Sequence, residues 1–383
     1  MSKKTPKRSW PLILCLTLML SGATGSDAPN SRTVEHSLSV LHPGNPLARP
    51  ETCTLVQNLD AAGEPRSYSM WVDSVICRET TCDVVKVQLH WDVLGRYQHY
   101  NLATGVKLTK LDHEPFTEKD YAKLQRILSD AASPLNEVEK EAMTGEAKKR
   151  SDDAALDGVS GATILTLKNA VIIGAGYTCY DLWHWANGAL TARIRHFTGT
   201  RCSVSALRTR LASEDRLSST FAIDYLSRRN VGDPTTSAAV LARALKGSGE
   251  LILPAMDYLK AVHDGGVYRT SLLAMFEKAS IQQRVIILQA LLQEKLGTDP
   301  DFFKQLCRHL PSLETFHEVQ LFFRLCEKQS IAPAAVVAPS VELLSHERFF
   351  VQRRAFEYLN SQTLPADLQR TIEAYRLQNR DRL

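Results

Sequence analysis

The sequence predicts an α+β protein in which a small antiparallel-sheet region precedes an all-helical repeat region. Strand-like runs fall within residues 67–102 of the 383-residue chain, whereas from about Leu207 onward helix-like segments follow one another without a strand-like run. The mature chain is also too long for one average core. We therefore expect two domains, at residues 26–205 and 206–383, after a signal peptide at residues 1–25.

Three segments in the first region have the composition of strands. Tyr68–Ile76 is rich in aromatic and β-branched residues, and Val84–Trp91 alternates apolar with polar side chains. A third strand, Arg96–Leu102, follows a turn at Gly95. These runs predict an antiparallel meander.

A helix is expected directly after the strands. Thr117 is a residue type that caps helices, and Asp120 stands three positions later, which is the pattern of a helix N-terminus. One face of this helix is apolar, and its members are Tyr121, Leu124, Ile127 and Leu128.

The second region contains an internal repeat. Helix-like segments begin near Leu217, Glu250, Ile281, Thr315 and Arg348, at separations of 33, 31, 34 and 33 residues. A second helix lies in each interval, and these are Ser237–Lys246, Tyr268–Lys278, Asp301–His309 and Pro333–Leu344. Units of this size predict a HEAT-like α-solenoid, and an irregular helical bundle is the alternative.

The N-terminus has the pattern of a secretory signal peptide. Four basic residues, Lys3, Lys4, Lys7 and Arg8, precede an apolar core at Trp10–Leu20 and small residues at Ser21–Ala23. We expect an exported protein, periplasmic or otherwise extracytoplasmic, and association with a membrane stays open. The chain has 46 basic and 42 acidic residues, a net charge of +4, and the four basic residues of the leader account for it. A near-neutral mature chain does not indicate a nucleic-acid partner.

Seven of the eight cysteines lie outside the leader, so some are expected to pair in an oxidising compartment. Cys77 and Cys82 flank a short connection between two strand-like runs, which favours a structural disulfide between them. A redox-active dithiol is the alternative. We expect no metal site, because His90, Asp92 and His113 do not have the spacing of a known ligand set.

One short string stands out between the two regions. Residues 157–163 read Asp-Gly-Val-Ser-Gly-Ala-Thr, and Thr166 follows at the front of a long apolar run with helical character. Small residues let a ligand approach the backbone closely, and the first free N–H groups of a helix attract anions. A phosphate group is therefore the kind of ligand that this string favours.

The string resembles the flavinylation motif of the FMN-binding domain family, which includes a flavin-carrying component of the sodium-pumping NADH:quinone reductase. The resemblance implies that a flavin transferase esterifies FMN through its phosphate to Thr163. It further implies that Asp157 is the acidic residue required by the transferase and that Thr166 matches the following Thr/Ser of the family. The close-approach loop would consist of Gly158, Ser160, Gly161 and Ala162. The first domain is accordingly expected to be FMN-binding-like.

Two other interpretations of the string compete with this one. In the first, Ser160 or Thr163 caps a helix that begins near Ile164, as Ser and Thr commonly do, and the turn binds nothing. In the second, Ser160 is the nucleophile of a hydrolase. The string lacks the Gly-x-Ser-x-Gly spacing of a nucleophile elbow, which argues against the second.

The apolar run at residues 164–194 predicts a buried helix with a break at Gly174–Gly176. Tyr177, Tyr180, Asp181 and His184 recur at spacings of three and four, so they share one face. Tyr177 and His184 are candidate contacts for a flavin ring, and packing in the core is the alternative. A membrane span is also open, although Asp181 and His184 would be costly in hydrocarbon.

Two functions follow from these patterns. The first is an exported electron-transfer flavoprotein with covalent FMN on Thr163, whose helical repeats dock an unidentified redox partner protein. It would be a redox carrier or a component of an oxidoreductase. The alternative is a non-catalytic binding or scaffold protein whose helical repeats present a surface to other proteins.

Overall fold

The structure is a computed structural model. It describes residues 32–43, 49–75, 84–110, 113–140, 169–294, 299–329, 331 and 333–383. The predicted leader, the Cys77–Cys82 pair and the string at residues 157–163 with Thr166 lie outside the described residues.

A five-stranded antiparallel sheet forms the N-terminal part. Its strands are β1 (Arg32–Val40), β2 (Glu51–Leu59), β3 (Pro65–Val75), β4 (Val84–Asp92) and β5 (Tyr97–Leu102). They pair in chain order, so the sheet is a simple meander. The predicted strands correspond to β3, β4 and β5 and are confirmed, whereas β1 and β2 extend the sheet beyond the prediction.

Two helices cover one face of this sheet. Helix α1 (Glu118–Ser129) begins with the capping box expected at Thr117 and Asp120. Helix α2 (Gly176–Asn187) begins at the predicted break and is largely buried. Their apolar side chains form one core with the inner face of the sheet, and Trp91, Leu124 and Trp183 belong to it.

A helix shared by both regions follows α2. Helix α3 (Leu190–Arg201) packs Leu190 and Ile194 into the core of the sheet. Its Thr198 hydroxyl lies 2.9 Å from the hydroxyl of Tyr68 on β3. The backbone of α3 also meets the helical region, because a Cβ at Gly199 would lie 2.1 Å from the ring of Tyr225.

The rest of the chain consists of helical pairs. They are α4 (Val204–Leu211) with α5 (Arg216–Arg228), α6 (Pro234–Leu245) with α7 (Ile252–Val262), α8 (Gly265–Lys278) with α9 (Ile281–Gln293), α10 (Pro300–Cys307) with α11 (Phe316–Lys328), and α12 (Pro333–Glu342) with α13 (Phe349–Asn360). Helix α14 (Ala366–Gln378) follows the last pair. The second helices begin within two residues of the predicted positions. The predicted boundary at residue 206 falls inside α4.

The pairs stack into two layers. Each first helix contacts the first helix of the next pair, and each second helix contacts the next second helix. One contact between pairs recurs: Arg208 of α4 binds Asp233, the N-cap of α6, at 2.7 Å, and Arg269 of α8 binds Asp299, the N-cap of α10, at 2.8 Å. The helical region is therefore a regular two-layer array, and the α+β layout with a helical C-terminal region is confirmed.

The sheet also contributes to the core of the helical array. The turn between β4 and β5 inserts Val93 and Leu94 into that core. Gly95 at the turn has φ +78°, and a Cβ there would lie 2.8 Å from the carbonyl oxygen of Thr191, so this position requires glycine. Beside it, Arg96 pairs with Asp215, the N-cap of α5, at 2.6 Å.

Candidate functional site

The sequence-predicted site residues fall into two groups. Asp157 to Thr163 and Thr166 lie outside the described residues, whereas Tyr177 and His184 lie on α2. Both side chains are half-buried, and they share a face of α2 with Tyr180 and the buried Asp181, as the spacing predicts. The candidate site is therefore built on α2.

A row of buried polar side chains runs along α2. Thr178, Asp181 and Trp185 are 0%, 0% and 4% exposed. Their spacing of three and four residues places them on one face of the helix. Thr178 Oγ1 and Trp185 Nε1 have no hydrogen-bond partner among the described residues, and Asp181 Oδ1 has only an ion-pair contact with Lys140. Each buried polar atom without a partner costs about 1–3 kcal/mol, so we expect a group outside the described residues to cover this row.

Lys140 meets the row at Asp181. Its Nζ donates a hydrogen bond to Asp181 Oδ2 at 2.9 Å and also lies 2.9 Å from Oδ1 as an ion-pair contact. The same ammonium lies 5.1 Å from the ring centroid of Tyr177. Lys140 is the last described residue before the segment at 141–168, and the chain resumes at Asn169, seven residues before α2. The segment that carries the motif thus begins directly after Lys140, beside this face of α2. It ends at Asn169, shortly before α2 begins.

Aromatic rings border the same helix. The rings of Tyr180 and His184 lie 4.1 Å apart between centroids. His184 Nδ1 is 2.9 Å from the carbonyl oxygen of Tyr180. At the other end of the row, the ring of His42 packs edge-on against Trp185 at 5.6 Å, and His42 Nε2 donates to the carbonyl oxygen of Asp73 at 3.0 Å.

The carboxyl of Asp181 is the central titratable group. Burial raises its pKa above the ordinary value, although Lys140, His42 and His184 oppose this shift. The row offers a hydroxyl, a carboxyl and an indole N–H, so it can both accept and donate hydrogen bonds. Such a row beside aromatic rings suits a planar heterocycle that carries ring nitrogens and carbonyls.

The ion pair between Lys140 and Asp181 gives a testable prediction. Replacing Lys140 with methionine leaves a buried carboxyl without its ammonium and is expected to lower the free energy of unfolding at neutral pH by about 3 kcal/mol. An acid whose pKa is raised on folding binds its proton more tightly in the folded state. The cost should therefore fade as the pH falls through the raised pKa of Asp181, because the carboxyl is then neutral in the folded state of both proteins.

Urea unfolding of wild type and variant from pH 3 to 8 measures this dependence. Lys119→Met, at an exposed lysine of α1, is the matched control and should change stability by less than about 0.5 kcal/mol at every pH. A Lys140→Met cost that stays constant with pH would show that the ammonium does not act through Asp181.

A cavity lies on the helical array. A cavity of about 520 Å³ opens between α3, α5 and α7. Arg195, Asp224 and Asp257 line it together with the ring of Tyr225. Arg228, also in the lining, pairs with Asp224 at 2.9 Å and lies over the Tyr225 ring. Its volume and mixed charges suit a binding surface.

A metal site and a membrane-spanning helix are both absent among the described residues. In the part of the chain that the structure covers, three or more His, Cys, Asp or Glu side chains do not come together as a metal site would require. Among those same residues, every helix is too short or too polar to cross a bilayer.

Comparison with protein-family models, with curated proteins and with solved structures found no match for this chain. The function is therefore inferred from the residues of the site. The sequence predicts Tyr177 and His184 as site residues but not Lys140, Thr178 or Trp185. The helical spacing of Thr178, Asp181 and Trp185 could have indicated that they share a face of α2. The sequence contains no signal that Lys140 lies next to Asp181.

Proposed function

We propose that this protein is an exported electron-transfer flavoprotein that carries FMN through a phosphoester on Thr163. The observation that carries the proposal is the row of buried polar side chains at Thr178, Asp181 and Trp185, in which Thr178 Oγ1 and Trp185 Nε1 lack a hydrogen-bond partner among the described residues. It lies on the helix that follows the motif-bearing segment. A buried row of this kind needs a partner, and the motif resembles an attachment site for a planar heterocycle with complementary groups.

The reach of the chain is compatible with this assignment. Thr163 lies six residues before Asn169, and six residues span at most about 20 Å. The length of the chain between Thr163 and Asn169 therefore allows a cofactor attached to Thr163 to lie near α2. The ester would also tether the cofactor, which prevents its loss outside the cell.

Each group on α2 would have a role toward the flavin. When bound, FMN supplies one- and two-electron transfer chemistry, while the protein controls binding, access and potential. Thr178, Asp181 and Trp185 would hold the polar edge of the ring, and Tyr177 and His184 would pack against it. Lys140 would hold Asp181 in place through their ion pair.

The helical array has the second role in this proposal. It would dock an unidentified redox partner protein at the surface that includes the cavity beside Tyr225. The same cavity supports the alternative, in which the protein is a non-catalytic exported scaffold and the motif is a structural turn. The state of Thr163 separates the two functions.

The decisive experiment is co-expression of the full chain with a flavin transferase in an exporting host. We expect the denatured protein to stay yellow, and the tryptic peptide Ser151–Lys168 to gain the mass of FMN less one water. Thr163→Val should abolish both signals. Thr144→Val, at a Thr-Gly pair in the same segment, should retain them. If the wild-type peptide is unmodified while a known substrate of the transferase is modified, the flavin proposal is wrong.

A further inference from the structure

We propose that the cavity on the helical array binds the C-terminal tail of a partner protein. The terminal carboxylate of the tail would bind Arg195, and a basic side chain of the tail would bind Asp257. Both residues line the cavity of about 520 Å³ between α3, α5 and α7. The inference rests on the docking role proposed for the helical array, and it holds with or without a flavin on Thr163.

Arg195 is a half-buried cation without a carboxylate partner. It lies on α3 and lines the cavity. Its guanidinium donates a hydrogen bond from Nη1 to the carbonyl oxygen of Leu94 at 3.3 Å. Within the described part of the chain, no carboxylate oxygen lies within 4.0 Å of its nitrogen atoms. A guanidinium has five N–H donors, so most of those of Arg195 are available to a ligand.

Two other half-buried arginines of the array do have a carboxylate partner. Arg269 lies 2.8 Å from Asp299, and Arg284 lies 2.7 Å from Glu318. Arg195 is also half-buried, but no described residue offsets the cost of taking its charge out of water. A guanidinium binds a carboxylate through two parallel hydrogen bonds, so a carboxylate is the ligand group that Arg195 fits best.

The other charges of the cavity leave one anion unpaired. Both carboxylate oxygens of Asp224 accept from Arg228 Nε at 2.9 Å, so these two charges neutralise each other. Asp257 on α7 is exposed and forms no ion pair with another described residue. The cavity therefore offers one unpaired cation and one unpaired anion. A complementary ligand carries a carboxylate and a basic group.

The two unpaired charges lie on either side of α5. Helix α5 contacts both α3 and α7, and the axes of packed helices lie about 8–10 Å apart. The axes of α3 and α7 are therefore about 16–20 Å apart, and Arg195 and Asp257 line the cavity between them. An extended chain spans about 3.3–3.6 Å per residue, so a basic residue about three positions before the terminal carboxylate suits this separation. A free amino acid carries its two charges closer together.

Uncharged side chains of the cavity favour a peptide over a simple anion. Leu217, Phe221 and Pro254 supply apolar surface, which suits an apolar last residue such as leucine. Thr220 and Ser227 supply hydroxyl groups that can bind the backbone of a peptide. The expected tail thus ends in an apolar residue and has a basic residue a few positions earlier.

Fluorescence polarisation of a labelled hexapeptide tests the proposal on the full chain. The probe is fluorescein-Gly-Ser-Lys-Ala-Ala-Leu, made with a free terminal carboxylate and, as the matched control, with a terminal amide. Wild type should bind the amide probe at least about tenfold more weakly, because the charged hydrogen bonds to Arg195 are lost. Equal affinity for the two probes, or no saturable binding of the carboxylate probe, would overturn the proposal. This comparison requires no protein variant.

Variants of the cavity test the two charged residues separately. Arg195→Gln should bind the carboxylate probe at least about tenfold more weakly and the amide probe as wild type does. Asp257→Asn should weaken binding about two- to fivefold, and only for probes that contain the lysine. Arg193→Gln, at an exposed arginine of α3 outside the cavity lining, is the control and should bind as wild type does. An equal loss for both probes in Arg195→Gln would refute the carboxylate contact.

Competition distinguishes a chain terminus from a small anion. The unlabelled hexapeptide should displace the carboxylate probe, whereas free leucine and acetate at the same concentration should not. Displacement by acetate would show a general anion site and refute the C-terminal tail. All of these measurements use protein expressed without a flavin transferase, so their failure and a failure of flavin attachment at Thr163 are separate results.

Discussion

Replacement of Trp91 with alanine is expected to lower the free energy of unfolding by about 3–5 kcal/mol. Trp91 on β4 is fully buried in the core between the sheet and α2. Its indole N–H donates a hydrogen bond of 2.7 Å to the carbonyl oxygen of Ala186, near the end of α2. The substitution therefore removes a large ring and also leaves a buried carbonyl without its donor.

Chemical denaturation of matched tryptophan variants measures this effect. Trp71→Ala is the control, because Trp71 lies on the adjacent strand β3 but is 45% exposed, and it should cost less than about 1 kcal/mol. Trp91→Phe keeps most of the ring but loses the donor, and should cost an intermediate amount of about 1–3 kcal/mol. Equal losses for Trp91→Ala and Trp71→Ala would contradict the packing of α2 against the sheet.

Replacement of Glu318 with alanine is expected to be comparably destabilising, by about 3–5 kcal/mol. Glu318 is fully buried at the start of α11 and accepts from Arg284 Nε of α9 at 2.7 Å. It also accepts from the backbone N–H of Thr315 at 2.9 Å, as part of a capping box. One side chain thus caps its own helix and binds the preceding helical pair.

The two roles of Glu318 can be separated by equilibrium unfolding of variants. Glu318→Gln keeps a capping residue but loses the charge, so it should cost less than Glu318→Ala. A double-mutant cycle with Arg284→Met isolates the coupling between the pair. Glu327→Ala, at a glutamate of the same helix that is 56% exposed, is the control and should cost less than about 1 kcal/mol. A coupling energy near zero would show that the ion pair between Arg284 and Glu318 does not contribute to the free energy of unfolding.

The strands and helices with local signals could be predicted from the sequence. Alternation within β4 and the capping pattern at Thr117 and Asp120 depend on neighbouring residues, and the structure confirms both. Strands β1 and β2 were missed, although exposed residues of β1 alternate with half-buried ones such as Val34 and Leu38. This alternation was a usable signal, because it is the same kind of pattern that identifies β4.

The starts of the helices also differ in part from those predicted from the sequence. The first helices of two pairs were expected to begin at Ser237 and Tyr268 but begin at Pro234 and Gly265. Asp233 and Asp264 accept hydrogen bonds from the first free N–H groups, which moves each start by one turn toward the N-terminus. These aspartates were a usable signal that the apolar periodicity obscured.

The candidate site was predictable only in part. The shared face of Tyr177 and His184 follows from helical spacing, and the structure confirms it. The approach of Lys140 and His42 to that helix depends on chain segments that are distant in sequence. A pattern of residues along one helix cannot reveal an ion pair across 41 positions, such as that between Lys140 and Asp181.

Helix α3 has a mechanical consequence for the proposed flavoprotein. It joins α2 to the helical array, its Thr198 hydroxyl contacts the hydroxyl of Tyr68 in the sheet, and its Gly199 lies close to the ring of Tyr225 in the array. Helix α3 therefore connects the face of α2 that would hold the flavin to the cavity that would receive a partner. It packs against both regions and is not a flexible linker between them. The fold would then set the distance between a bound partner and the cofactor. Electron transfer between them would not require a domain movement.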